Sequence, residues 1–358
     1  MIAILMGAVL AFTMSVLFTP MLIKVLTKNE MGQNIRDDGP FQHPHTQKAG
    51  TPTMGGIAIV VSALLAYVFA HIRTDAIKFS RAGLLMWFLI CGLAFIGFVD
   101  DFLAIKFKRN LGLRIKGKTL GQLGVGLTFA VLSVQWGNVS TRLSFTRPIG
   151  LELGKVGWIL LAVLTVYAVS NAVNLTDGLD GLASGASTLV FASFSIICFW
   201  QFRNIGFYGF NFLQDGNLAP GFAATSVDLA VVAACMTGAI VGFLWWNAPP
   251  ASIFMGDVGS LAIGGAIAGF ALYTNTVLLL PIIGGLFVLE TLSVIAQIIS
   301  VRIFNFRVFK MAPFHHHFEL KGWPETTVII RFWIVGAAFT ALGVGIFYAD
   351  FLSRSGVV

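Results

Sequence analysis

The chain has 358 residues, of which 57% are hydrophobic and 11% charged, and its formal net charge is +7. A soluble globular domain carries about 25% charged residues. With a mean hydropathy of +0.85, the composition excludes a water-soluble fold and predicts an integral membrane protein.

Ten apolar stretches can cross ~30 Å of hydrocarbon at ~1.5 Å rise per residue. They run over 2–23, 55–71, 83–100, 119–137, 156–174, 181–201, 229–246, 258–274, 276–301 and 332–351. No stretch between them has room for a soluble domain. The expected fold is therefore an all-α bundle of about ten transmembrane helices, with residues 1–358 forming a single polytopic domain. The first stretch lacks a basic n-region and a small-residue cleavage pattern, so it reads as a retained span, not a signal peptide. Loops after odd-numbered spans hold 15 Lys and Arg and the opposite loops hold 8. The positive-inside rule then places the odd loops in the cytoplasm and both termini outside.

The polar motifs fall at the ends of spans. Lys48-Ala-Gly-Thr-Pro-Thr53-Met-Gly-Gly56 enters the second span. Its lysine, hydroxyls and glycines suit an anion, although such turns also occur without a ligand. Asp100 and Asp101 end the third span. Consecutive helical residues point about 100° apart, so one acid is expected to face the bundle interior and the other the mouth. Acids at a helix C-terminus oppose the helix dipole, which favours a functional reading over a solvated end.

Asn171, Asn174 and Asp177 form a polar stripe at the end of the fifth span. Gly178 and Gly181 break the helix there, with Asp180 between them. Capping needs one such residue and this segment offers four. In the stretch from Asn247 through Phe254 to Asp257 and Ser260, Asp257 is open to two readings. It is a helix N-cap, or a third acid beside Asp100 and Asp101. One or two carboxylates with substrate phosphates are a usual Mg²⁺ ligand set.

Glu290 sits mid-span, with Gln297 two turns later on its face. An intramembrane acid points to function, with internal hydrogen bonding as the alternative. His315, His316 and His317 are consecutive, so their side chains diverge and cannot share one metal. Near Lys310 and Lys321 they suit a phosphate or a carboxylate. Cys91, Cys198 and Cys235 lie in apolar spans with no metal spacing, and no redox role is expected.

Five of these segments together resemble a known family. They are Gly50-Thr-Pro-Thr-Met-Gly-Gly56, Phe98-Val-Asp-Asp101, Asn171-Ala-Val-Asn-Leu-Thr-Asp-Gly-Leu-Asp-Gly-Leu-Ala183, Phe254-Met-Gly-Asp-Val-Gly-Ser-Leu261 and Met311-Ala-Pro-Phe-His-His-His317. The chain is similar to the phospho-N-acetylmuramoyl-pentapeptide transferases (the MraY family), within the polyprenyl-phosphate sugar-1-phosphate transferases. The triple histidine points to the muramoyl-pentapeptide branch.

The resemblance implies a ten-helix enzyme of the bacterial cytoplasmic membrane, with an active-site cleft at the cytoplasmic face. It implies transfer of phospho-MurNAc-pentapeptide from UDP-MurNAc-pentapeptide to undecaprenyl phosphate, giving lipid I and UMP with Mg²⁺. By the same resemblance Asp100, Asp101 and Asp257 are the essential acids, Asp257 at the metal. Lys48, Thr53, Lys118, Asn174, Asp177, Asp180, Asn247 and Phe254 fall to substrate binding, Phe254 by stacking on uracil. His315, His316 and His317 fall near the pyrophosphate or sugar, and Gln297 near the same cavity. A homodimer is compatible with this reading, and no nucleic-acid partner is expected. Two alternatives remain. One is a relative that transfers GlcNAc-1-phosphate from UDP-GlcNAc. The other is a secondary transporter with Glu290 at its ion site, against which stands the absence of an internal repeat.

Overall fold

The computed structural model describes residues 1–29, 31–32, 50–73, 77–107, 112–209 and 221–355. Helices α1 (Ile2–Lys28), α2 (Gly56–Arg73), α3 (Arg81–Lys106) and α4 (Ile115–Gln135) come first. A short hairpin follows, β1 (Arg142–Ser144) antiparallel to β2 (Pro148–Glu152). Then come α5 (Gly154–Thr176), α6 (Leu182–Arg203), the single turn α7 (Ile205–Tyr208), α8 (Phe222–Asn247) and α9 (Gly256–Tyr273). The chain closes with α10 (Leu280–Ile283), α11 (Gly285–Phe304), α12 (Phe314–Glu319) and α13 (Glu325–Ser355).

Every expected span coincides with a long helix. Among the described residues nine helices are long and apolar enough to cross a membrane. The tenth, α4, carries Lys116, Lys118 and Gln122 in its first two turns, and Lys118 belongs to the site described below. The chain is a multi-pass membrane protein. One span differs from its expected form. The stretch 276–301 is interrupted at Gly284, which separates α10 from α11. The 142–152 hairpin was also not expected. Asp350 of α13 holds it, accepting from Thr146 Oγ1 at 2.8 Å and forming an ion pair with Arg147, whose Nε lies 3.2 Å away.

The centre of the bundle is α8 and α9, the two most enclosed spans. Lipid tails are as apolar as leucine, so helices in a membrane gain by close packing more than by hiding apolar surface. Glycine makes that packing possible here. A Cβ on Gly97 would lie 2.2 Å from the carbonyl oxygen of Asp257, and one on Gly56 would lie 2.0 Å from the amide of Gly259. Thus α3 and α2 both cross the first turn of α9 in backbone contact, which places the ends of α3 and α9 together.

Gly97→Ala should separate α3 from α9, with an overpacking cost of about 1–3 kcal/mol. Thermal unfolding in detergent should show a lower midpoint; an unchanged midpoint would contradict the backbone contact.

Candidate active site

Six helix ends meet at one end of the bundle, and each delivers a polar group. Asp100 and Asp101 come from the last turns of α3, and Lys118 from the first turn of α4. Asn174 and Asp177 end α5, Asp180 precedes α6, Asn247 ends α8, and Asp257 opens α9.

The three acids at the centre converge. One carboxylate oxygen from each of Asp100, Asp101 and Asp257 lies within 4.8 Å of the others. Asp101 Oδ2 accepts the backbone N–H of Val258 at 3.2 Å, at the positive end of the α9 dipole. Asp100 turns the other way, its Oδ1 accepting from the amide of Leu113 at 2.8 Å. The two neighbouring acids thus take their backbone hydrogen bonds from different segments, Val258 and Leu113. Lys118 Nζ forms a close ion pair with Asp257 Oδ2 and lies 3.8 Å from Asp100 Oδ2. Asn174 Nδ2 donates to Asp257 Oδ1 and to Ser260 Oγ, the latter at 2.8 Å.

The N-cap reading of Asp257 is set aside by this geometry. The cap position of α9 is Met255, and Asp257 stands inside the first turn with its carboxylate toward α4 and α5. Gly256 makes the turn into α9 with φ +71. A Cβ there would fall 2.4 Å from Asp101 Oδ2 and 2.8 Å from Thr53 Oγ1, so buried Thr53 flanks the acids. The 50–56 segment is zipped to this turn. Phe254 N donates to Pro52 O, Gly55 N to Phe254 O and Gly56 N to Met255 O, each at 2.8 Å. Lys48, just upstream, lies outside the described residues.

Asp180 and Asn247 shape the neighbouring loop. Asp180 Oδ2 accepts from Ala251 N at 3.0 Å. Asn247 Nδ2 donates to Ile253 O at 2.9 Å while its Oδ1 accepts from Ser184 Oγ at 2.6 Å. Both side chains are buried and hold the 248–255 loop that presents Phe254. Asp177 is partly buried beside them. Burial and the charges of Asp257 and Asp180 push its carboxyl up to about 7.

The three histidines diverge as expected. His315 points inward, with Nδ1 3.1 Å from Glu290 Oε2, and both side chains are fully buried. This pairing accounts for the acid placed mid-span in the sequence. A Cβ on Gly178 would lie 2.4 Å from His315 Nε2 and 3.4 Å from His316 Nε2, so these two rings pack on the turn after α5. His316 Nδ1 meets Glu319 Oε2 at 2.7 Å. His317 faces the rim, where its Nδ1 accepts from Lys310 N at 3.0 Å. Partial desolvation and the nearby Lys321 and Lys310 charges hold His317 below the usual imidazole range. Gln297 is engaged with backbone: its Nε2 donates to Phe309 O at 3.2 Å and its Oε1 accepts from Phe309 N at 3.0 Å. It braces the segment leading to the histidines.

Sequence reasoning did not find Glu325, whose Oε1 accepts from Asp180 N at 3.1 Å. Its only signal is an acid in the first turn of α13. It also missed Gly97 and Gly112, whose Cβ positions are taken by backbone of Asp257 and Asp100. An apolar groove of about 280 Å³ lies between α5 and the α10–α11 pair, lined by Leu164, Ala168, Ile267, Leu280, Phe287 and Leu292 among others. Ala172, two residues before Asn174, also lines it.

Known proteins share this arrangement of sequence. The pattern of glycosyl transferase family 4 matches residues 81–275, and the phospho-N-acetylmuramoyl-pentapeptide-transferase signature 1 matches residues 48–60. A phospho-N-acetylmuramoyl-pentapeptide-transferase of Frankia alni is 48% identical over 359 residues, covering 98% of each chain. The proteins of that name from Saccharopolyspora erythraea and Streptomyces coelicolor are 48% and 47% identical. They cover 98% and 97% of this chain, and each alignment takes in 98% of the relative. Fold and site thus define a membrane-embedded transferase. Within that class, the chain belongs to the phospho-N-acetylmuramoyl-pentapeptide-transferase family.

The proton on Asp177 yields a pH test. Its folded pKa of about 7 stands above the ordinary 3.8, so the folded chain binds more protons than the unfolded chain between those values. Stability then falls as pH rises through that window. Thermal unfolding in detergent at pH 5.5 and pH 8 should show a smaller difference for Asp177→Asn than for the unaltered chain. An equal difference would contradict the raised carboxyl.

Proposed function

We propose that this chain transfers phospho-MurNAc-pentapeptide from UDP-MurNAc-pentapeptide to undecaprenyl phosphate, forming lipid I and releasing UMP. The observation that carries this reading is the meeting of Asp100, Asp101 and Asp257 around Lys118 at one membrane end, in a chain 48% identical to transferases of that name. The basic bias of the loops at this end supports a site facing the cytoplasm, with both termini outside.

The reaction exchanges one phosphoanhydride for another. An oxygen of the lipid phosphate attacks the sugar-bearing phosphorus, the bond from that phosphorus to the UMP oxygen breaks, and UMP departs. Such transfers rest on positioning and on neutralising charge. Three converging carboxylates form a hard-oxygen donor set, which fits Mg²⁺. Asp257, with Asp100 and Asp101, would hold it, and when bound it would stabilise negative charge on the diphosphate.

The other roles belong to the chain itself. Lys118, already drawn to Asp257 and Asp100, brings a cation to the departing phosphate. Asp101 is anchored to Val258 N and fixes α3 on α9. Asp100, which accepts from Leu113 N, would orient or deprotonate the incoming lipid phosphate. Asn174 holds the Asp257 carboxylate in line. The loop braced by Asp180 and Asn247 carries Phe254 for the uracil ring. His315, set by Glu290, and His316 offer imidazole nitrogens beside Gly178 for the pyrophosphate or sugar. The apolar groove beside α5 suits the prenyl chain, since its lining is apolar and reaches Ala172, two residues before Asn174.

Two assays test this reading. With undecaprenyl phosphate and labelled UDP-sugars in detergent, UDP-MurNAc-pentapeptide should yield lipid product and UMP while UDP-GlcNAc should not. The reverse preference would assign the chain to the UDP-GlcNAc branch, and no UMP from either would remove the transferase reading. Asp100→Asn should lower turnover by at least ~10²-fold, the usual scale for losing acid–base assistance, with nucleotide binding retained. Lost binding with turnover preserved in the residual complex would contradict the role of Asp100.

A further inference from the structure

The tip of α11, at the same membrane end, has no part in this chemistry. Residues 301–308 are exposed without a break. Val301, Ile303, Phe304, Phe306 and Val308 are between 41% and 65% exposed. Arg302 and Arg307 alternate with them, and Lys310 follows, all exposed. From residue 291 to residue 318 the chain holds no Asp or Glu.

This tip is built, not loose. Asn305 ends α11 with φ 56, and Ser300 Oγ donates to Phe306 O at 2.7 Å. The two Gln297 bonds to Phe309 fix the returning strand of the turn. Large apolar side chains held outward are poorly suited to water, and guanidinium groups among them are poorly suited to hydrocarbon. The boundary between the two suits both, because apolar parts enter the acyl region and basic heads stay at the headgroups. An anionic surface attracts such basic groups and a zwitterionic surface does not.

We propose that residues 301–310 form an interfacial foot that binds anionic phospholipid headgroups. Arg302 and Arg307 take the phosphates, while Ile303, Phe304 and Phe306 enter the acyl boundary. Charge complementarity selects this occupant: a strip with two arginines, a lysine and no acid, set at the end of a membrane span. The foot also fixes the height of the histidine segment, because Lys310 N donates to His317 Nδ1 and Gln297 ties α11 to Phe309. The inference rests on the multi-pass fold and not on the reaction proposed above.

The test uses the full chain purified in a zwitterionic detergent, titrated with phosphatidylglycerol or phosphatidylcholine and read by native mass spectrometry. The unaltered chain should prefer phosphatidylglycerol, with an affinity that weakens as salt rises. Arg302→Gln with Arg307→Gln should weaken phosphatidylglycerol binding about 25-fold, from about fivefold per basic residue, and leave phosphatidylcholine binding unchanged. Retained thermal stability of the double variant would show that folding is intact. A second variant, Phe304→Ser with Phe306→Ser, should weaken both lipids, as loss of the acyl contact requires. Equal phosphatidylglycerol affinity in the double arginine variant and the unaltered chain would overturn the foot. So would a change from dimer to monomer at unchanged lipid affinity, which would give the tip to a second copy. UMP release bears on the transferase reading alone and stands outside this test.

Discussion

The structure depends on how three carboxylates can share one corner of a membrane protein. Unit charges about 4 Å apart interact by about 4 kcal/mol at an effective dielectric of ~20, so three ionised acids this close repel strongly. Lys118 answers that repulsion from a fourth helix, pairing with Asp257 and standing near Asp100. The Val258 amide and the Asn174 side chain add directed donors. One lysine among three carboxyl groups leaves carboxylate oxygens over, on Asp100 and Asp101 as well as Asp257. A divalent cation could use those oxygens, and its charge would in turn draw a diphosphate to this corner.

The rest of the bundle serves to bring these ends together. Close crossings at Gly56 and Gly97 put α2 and α3 against the first turn of α9, and Gly256 turns the chain so that Asp101 and Thr53 can sit beside it. Around this centre a second layer of buried and half-buried polar groups holds loops in place: Asp180 and Asn247 for 248–255, Glu290 for His315, and Gln297 for Phe309. Each is engaged with a partner inside the protein.

Much of this was legible in the sequence. The apolar spans announced the helices, since only spans of that length cross hydrocarbon. The acids were readable because a charge at a span end opposes the helix dipole and needs a reason to be there. Some features were hidden. Gly284 divides a span whose hydropathy is continuous, because hydropathy does not register a break in hydrogen bonding. Glu290 was visible as a buried acid, but its partner His315 lies 25 positions on, and no local pattern joins them. Asp180 and Asn247 looked like ligand residues by type, and type does not announce the contacts the coordinates add: Asp180 Oδ2 with Ala251 N, and Asn247 with Ile253 O and Ser184 Oγ. Lys118 lay in a basic stretch with nothing in its spacing to set it apart. Its place in the first turn of α4 points it at Asp257.

The most direct test of the central claim is electron paramagnetic resonance of Mn²⁺ added to the purified chain with UMP. The account predicts one tightly held ion per chain, lost in Asp257→Asn and weakened in Asp101→Asn. Retention of that ion with all three acids replaced by asparagine would contradict it.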